Sequence, residues 1–160
     1  MADPSMTHFD DEGRPRMVDV SDKAVTSRSA TAEGRIVMSE ETLAVIRSGA
    51  MRKGNPLQVA ELAGIMAGKR TADLIPLCHQ LQGASLEVSL EPDAALPGVV
   101  CRARAHVSGQ TGVEMEALTA VAVALLTLYD MVKGVDRGLR IEQIRLAEKE
   151  GGRSGRWTAP

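Results

Sequence analysis

The run EALTAVAVALLTLYDMV, residues 116–132, constrains this chain more than any other feature. With TGV and Glu114 ahead of it and Gly134 behind it, the spacing predicts a helix of about 20 residues within 111–136. That helix is apolar nearly all round its middle, so it must be buried on more than one side. The unbroken apolar part, Ala117–Tyr129, is too short to span a bilayer, which takes about 20 residues. It reads as the core of a soluble, cytoplasmic protein.

Two period-two segments supply a sheet to cover it. In ASLEVSLE (84–91), Leu86, Val88 and Leu90 alternate with Ser and Glu. In VVCRARAHV (99–107), Cys101, Ala103, Ala105 and Val107 alternate with Arg102, Arg104 and His106. Alternation of this kind marks half-buried strands, and the PDAALPG linker makes them an antiparallel hairpin with one wet face. Further strands are expected in 17–38 and 139–149. Ser39 and Gly49 bracket a short helix; Asn55 with Pro56 opens a second, expected to run to Ile75 before Pro76. The order from about residue 25 is strand, two helices, two strands, helix, strand. This is an α+β, ferredoxin-like βαββαβ pattern with an additional helix, its antiparallel sheet covered by helices on one face.

The chain of 160 residues suits one catalytic domain at 16–149, a flexible segment at 1–15 and a flexible, Gly-rich basic tail at 150–160. Aromatics are only 2%, so Leu, Val, Ile, Ala and Met must build the core. The formal net charge of −2 argues against a broad nucleic-acid surface. An RNA-binding sheet is also unlike this one, whose wet-face positions carry no Phe, Tyr or Trp on which bases could stack. The cysteines, Cys78 and Cys101, lack the spacing of a zinc ribbon or a disulfide framework. Polar, acidic residues 1–16 resemble no targeting peptide.

Chemistry-bearing residues cluster in four places. Cys78 and His79 follow Pro76 on a loop, where a rigid scaffold presents side chains freely; a buried Cys and a satisfied His are an equal alternative. Lys53 precedes a helix N-terminus, Lys69 ends that helix, and Lys149 leads into a Gly-rich tail with Arg153 and Arg156. Together they suit a phosphate-bearing ligand, although EKEGGRSG is not a P-loop. Glu114 and Glu116 start the long helix, where its dipole favours carboxylates. Asp130 and Lys133 end it, and their place after a buried segment suggests partial burial with shifted pKa values. Glu116 and Asp130 stand 14 residues apart, or about 20 Å along one straight helix. One small-molecule site uses both only if two such helices pack antiparallel across a two-fold axis.

The segments KRTADLIPLCHQL, TGVEMEALTAVAVALLTLYDMVK and GGRSG closely resemble the cyclic pyranopterin monophosphate synthases of molybdenum cofactor biosynthesis. The similarity runs from MVDVSDKAVTSR to GGRSG. The resemblance implies a lyase that converts (8S)-3′,8-cyclo-7,8-dihydroguanosine 5′-triphosphate into cyclic pyranopterin monophosphate and releases pyrophosphate. It implies no redox cofactor, a ferredoxin-like fold, and a homohexamer of dimers with shared sites; no metal is assigned, because Cys78 with His79 lacks the second cluster that a metal site needs. Asp130 matches the family's catalytic aspartate and Lys133 the lysine beside it. Lys53 and Lys149 match further active-site lysines. Leu77, Cys78, His79, Met115 and Glu116 match substrate-contacting positions, and Arg28 a basic residue of the pocket; Glu114 and Lys69 join them as binding candidates. A degenerate homologue would be expected to lose Lys53, Asp130, Lys133 or Lys149, and all are present. Gln80 departs from the family's usual Pro, and GGRSGR from its usual GGKSGD.

Overall fold

The computed structural model describes residues 8–10, 12–49, 54–152 and 155–160. Five strands and four helices follow in the order β1 (Thr26–Val37), α1 (Glu40–Ser48), α2 (Pro56–Gly68), α3 (Thr71–Leu74), β2 (Ser85–Asp93), β3 (Gly98–Gly109), α4 (Glu114–Val132), β4 (Arg140–Glu150) and β5 (Trp157–Thr158). The sheet order is β2-β3-β1-β4-β5, antiparallel at every pairing. The first four strands reproduce the ferredoxin-like arrangement expected from the sequence, with α1 as the additional helix.

Local chemistry sets the helix ends. The Ser39 hydroxyl accepts from the Thr42 amide, and Gly49 closes α1 in the left-handed region at φ 67°. Asn55 caps α2 by accepting from the Leu57 amide, with Pro56 in the first turn. The second helix does not continue to Ile75. It stops at Gly68, and a separate turn, α3, begins at Thr71, whose hydroxyl donates to the Gly68 carbonyl. Helix α4 has 19 residues, close to the expected length, and lies within the expected 111–136 span. Asp136, beyond it, accepts from the Ser39 amide at 2.8 Å and ties the end of α4 to the start of α1.

The core lies between the sheet and the pair α2 and α4. Ala30, Ala32 and Ile36 of β1 and Cys101, Ala103, Ala105 and Val107 of β3 face Ala117, Val121, Ala124, Leu125 and Leu128 of α4, all buried. Small residues let the layers close. A Cβ at Gly34 would stand 3.0 Å from both Leu125 and Val121, and one at Gly64 would stand 2.9 Å from the Ala120 carbonyl. Those two glycines thus set how near α4 lies to β1 and to α2. Among the described residues α4 alone is long and apolar enough to cross a membrane, and half of it is buried here as core. The outer surface of the helix pair is also apolar, with Val59, Leu62 and Met66 of α2 and Leu126 of α4 all exposed.

Two irregularities shape β4. Its pairing with β1 shifts register between Thr31 and Ala32 and again between Glu33 and Arg35. Gln143, inside the second shift, takes φ 54°, a strained value for a non-glycine residue and typical of a bulge. The C-terminal tail departs from the expectation of flexibility. Trp157 and Thr158 pair with Lys149 and Glu148 as β5, and the Ala159 amide donates to the Ala147 carbonyl at 2.8 Å. Near the N-terminus Phe9 bridges Pro15, and residues 16–25 run to β1 without regular structure.

Candidate active site

The loop after α3 and the first turn of α4 meet around a cavity of about 620 Å³. Leu77, Cys78 and His79 come from the loop, and Glu114, Met115 and Glu116 from the helix. Pro76 and the end of α3 turn the chain across the helix start; Thr111 and Gly112 complete that side. This size suits a nucleotide-scale ligand. A smaller recess of about 310 Å³ adjoins it, shares His79 and Glu116, and holds Lys69.

The carboxylates of the cavity differ in environment. Glu116 is only 6% exposed. Burial pushes its pKa above the ordinary carboxylate value of 4.5, a hydrogen bond from its own backbone opposes this, and the Glu114 charge adds to the rise. Glu114 instead accepts from the Lys149 ammonium at 3.0 Å, with both side chains about one-third exposed. Glu116 therefore holds its proton to higher pH than an ordinary glutamate, beside a Glu114 that is ion-paired to Lys149. Environments that separate neighbouring carboxyls in this way suit acid–base work.

Cys78 is half-buried, and burial, helped by the Glu116 charge, raises its thiol pKa. Both effects disfavour its thiolate form. Cys101 is fully buried in β3 and pushed up to about 12 by burial. His79 Nε2 lies 2.8 Å from the Val18 carbonyl. A carbonyl only accepts, so Nε2 carries hydrogen and Nδ1 is left for a ligand.

Other sequence candidates lie elsewhere. Arg28 donates from Nε to the Gly109 carbonyl at 3.0 Å and borders the turn after β4, where a Cβ at Gly152 would run into its guanidinium. Lys53 and Arg153 lie outside the described residues. Asp130 and Lys133 form an ion pair at 2.6 Å at the opposite end of α4 from Glu116. The expected partial burial of this pair is not found within one chain: the side chains are 69% and 59% exposed. Leu128 and Val132 hold the end of α4 in the core, and Asp130 and Lys133 lie on the opposite, solvent side of that turn. The hydrogen bond and charge of Asp130 raise the pKa of Lys133, so its ammonium is favoured.

One whole wall of the cavity has no counterpart among the sequence candidates. Val18, Val20 and Lys23, from the irregular strap before β1, line the cavity. Their segment has no clear period; the one or two strands expected in 17–38 reduce to β1, which starts at Thr26 and leaves 18–23 as irregular strap. On the sheet's opposite face a depression of about 540 Å³ is lined by Glu87, Ser89, Arg102, Arg104 and Glu148. Glu33 there accepts from Arg145 and Arg102, which lower its pKa, as expected of a solvated, cross-paired sheet surface.

Glu116 makes the chain's stability depend on pH. Its folded pKa is raised, so over the window from about 4.5 upward to that folded value the native state holds more protons than the unfolded state. The contribution is full below the window and declines as pH rises through it. Glu116→Gln should remove that decline. Chemical denaturation of both proteins from about pH 4 to about pH 8 checks it. Parallel stability curves would show that Glu116 is not desolvated in solution.

A ferredoxin-like α+β domain that gathers two carboxyls and an oriented imidazole round one nucleotide-sized cavity has the form of a small-molecule enzyme. The pattern of the MoaC family matches residues 17–152. The chain belongs to that family. It is 63% identical over 155 residues to the cyclic pyranopterin monophosphate synthase of Methylobacterium sp. (strain 4-46), covering 97% of each chain. To the synthase of the same name from Methylobacterium nodulans it is 62% identical, covering 98% of each. To that of Chloroflexus aurantiacus it is 57% identical, over 97% of this chain and 95% of the relative.

Proposed function

We propose that the chain is a phosphorus–oxygen lyase of molybdenum cofactor biosynthesis acting in the cytoplasm. It converts (8S)-3′,8-cyclo-7,8-dihydroguanosine 5′-triphosphate into cyclic pyranopterin monophosphate and pyrophosphate. The observation that carries this reading is the convergence of Leu77–His79 with Glu114–Glu116 on one cavity, in a chain so similar to proteins named for this product. Opening a purine ring and rebuilding it as a pterin takes repeated proton transfers. Glu116, whose burial raises its pKa, is suited to donate, and His79 Nδ1 to accept. In the phosphate-closing step a substrate hydroxyl bonds to the α-phosphorus, the bond from that phosphorus to the β-phosphate bridge breaks, and pyrophosphate leaves. Cations such as Lys149 stabilise the charge that develops.

Asp130 and Lys133 enter the same reaction through a second copy of the chain. Glu116 and Asp130 are separated by 14 residues of one helix, about 21 Å. A copy packed antiparallel brings its own Asp130 to the cavity. The exposed apolar stripe of Val59, Leu62, Met66 and Leu126 supports such packing, since Leu126 shares the helix face of Asp130 one turn on. Three such dimers would make the hexamer usual in the family. The test of the reaction is direct. Purified protein is incubated with the cyclic GTP derivative, and pyrophosphate and pterin product are measured. Formation of both in equal amounts is expected; formation of neither overturns the assignment.

A further inference from the structure

Lys149 meets the cavity through its side chain, whose ammonium pairs with Glu114 at 3.0 Å. Its backbone lies one residue from the end of β4, where a strand frays unless it is tied down. β1 lies on one side, with Ala30 opposite Lys149. β5 lies on the other, with Trp157 opposite Lys149 and Thr158 opposite Glu148. Register decides which neighbour holds the Lys149 peptide groups. In an antiparallel ladder, hydrogen-bonded pairs alternate with non-bonded ones. The Ala159 amide donates to the Ala147 carbonyl at 2.8 Å, which makes those two residues a bonded pair. Lys149 and Trp157 are then the next bonded pair, and Glu148 and Thr158, between them, are not. A strand residue turns its N–H and C=O to the same side, so both groups of Lys149 go to β5 and neither to β1.

The faces of the sheet agree with this register. Glu148 and Thr158 line the depression on the outer face. Lys149 and Trp157 therefore share the helix side, where Glu114 lies. The return toward β5 starts in a confined place. Gly151 and Gly152 take φ 102° and 69°, and a Cβ at Gly151 would run into the Ser27 carbonyl. Arg156 pairs with Glu148 at 3.4 Å on the outer side. We infer that β5 is a positioning strand: the Trp157 backbone fixes the end of β4, so that the Lys149 ammonium stays on Glu114 at the cavity. Without β5 the Lys149 peptide has no partner strand, and the side chain swings with a frayed end. That Lys149 so held serves the lyase rests on the function proposed above; its anchoring by Trp157 does not.

The register defines a paired test on the full chain. Proline lacks an N–H. Trp157→Pro removes the donor to Lys149. Thr158→Pro removes a donor that points away from β4, at the outer edge of the sheet, where proline is tolerated. Trp157→Phe keeps the backbone intact. Protection of the Lys149 amide against hydrogen exchange should fall at least about tenfold in Trp157→Pro and stay within about threefold in the other two. With the cyclic GTP derivative, Trp157→Pro should lower kcat about tenfold with KM within about threefold, and the other two should turn over normally. Lys149→Ala should lower kcat about 100-fold. Adding Trp157→Pro to it should cost nothing more, because Trp157 acts through Lys149. An unprotected Lys149 amide in the unaltered protein, or equal effects of the two prolines, would overturn the inference. Additive losses in the double variant would overturn the action through Lys149. Absence of turnover in the unaltered protein would strike the proposed reaction alone, since hydrogen exchange needs no catalysis. β5 lies at the sheet edge and outside the core, so its variants keep the fold.

Discussion

Asp130→Asn is expected to abolish turnover, lowering kcat by about 100- to 10,000-fold, while leaving fold and assembly unchanged. The single chain makes this a sharp expectation. Asp130 is 69% exposed at the end of α4 and ion-paired across one turn with Lys133, which is 59% exposed. Helix physics gives the aspartate no structural purpose there, because a carboxylate at a C-terminus opposes the dipole. Exposed pairs of this kind contribute little to stability, so the melting temperature and far-ultraviolet dichroism should not move. Replacing a mere surface charge would leave turnover as well as fold unchanged, so near-normal activity would remove Asp130 from the mechanism. Asparagine keeps the shape but cannot take up a proton. It also withdraws the hydrogen bond and charge that raise the pKa of Lys133.

The second large effect is a recovery. Glu116→Gln and Asp130→Asn should each be nearly inactive alone. Coexpressed, they should regain about a quarter of the unaltered activity. In a dimer whose sites each take Glu116 from one protomer and Asp130 from its partner, a hybrid carries one site with both native residues and one with neither. Random assembly makes half of the dimers hybrids, each with one working site of two. If both residues served the same chain's cavity, every site in the mixture would lack one of them and no activity would return. The roughly 21 Å of helix between the two positions favours the shared arrangement. Measuring pyrophosphate release from the purified hybrid decides it.

Much of the fold was legible because its signals are local. Ser39, Gly49, Asn55 and Pro56 mark helix ends through hydrogen bonds and dihedral limits spanning a few residues. The alternation of Leu86, Val88 and Leu90 against Ser and Glu marks a strand wherever that strand goes. The break between α2 and α3 was missed because it depends on contacts from distant parts of the chain. There, a Cβ at Gly68 would meet Leu86 and the Glu116 carbonyl. The β5 pairing was missed for a related reason. GGRSGRWT reads as polar tail, and only the edge of β4 turns two of its residues into strand.

The candidate site divides the same way. The sequence by itself determined which residues have the chemistry, and that Leu77–His79 and Glu114–Glu116 stand at a loop and a helix start. Tertiary structure decided that these segments share a cavity, that Glu116 is buried beside an ion-paired Glu114, and that the irregular strap brings Lys23 to face them. It also left Asp130 in solvent at the far end of α4. Residue type and period are properties of neighbours along the chain, whereas burial, pKa and pocket charge are set by whatever distant backbone packs nearby, and no local pattern encodes that.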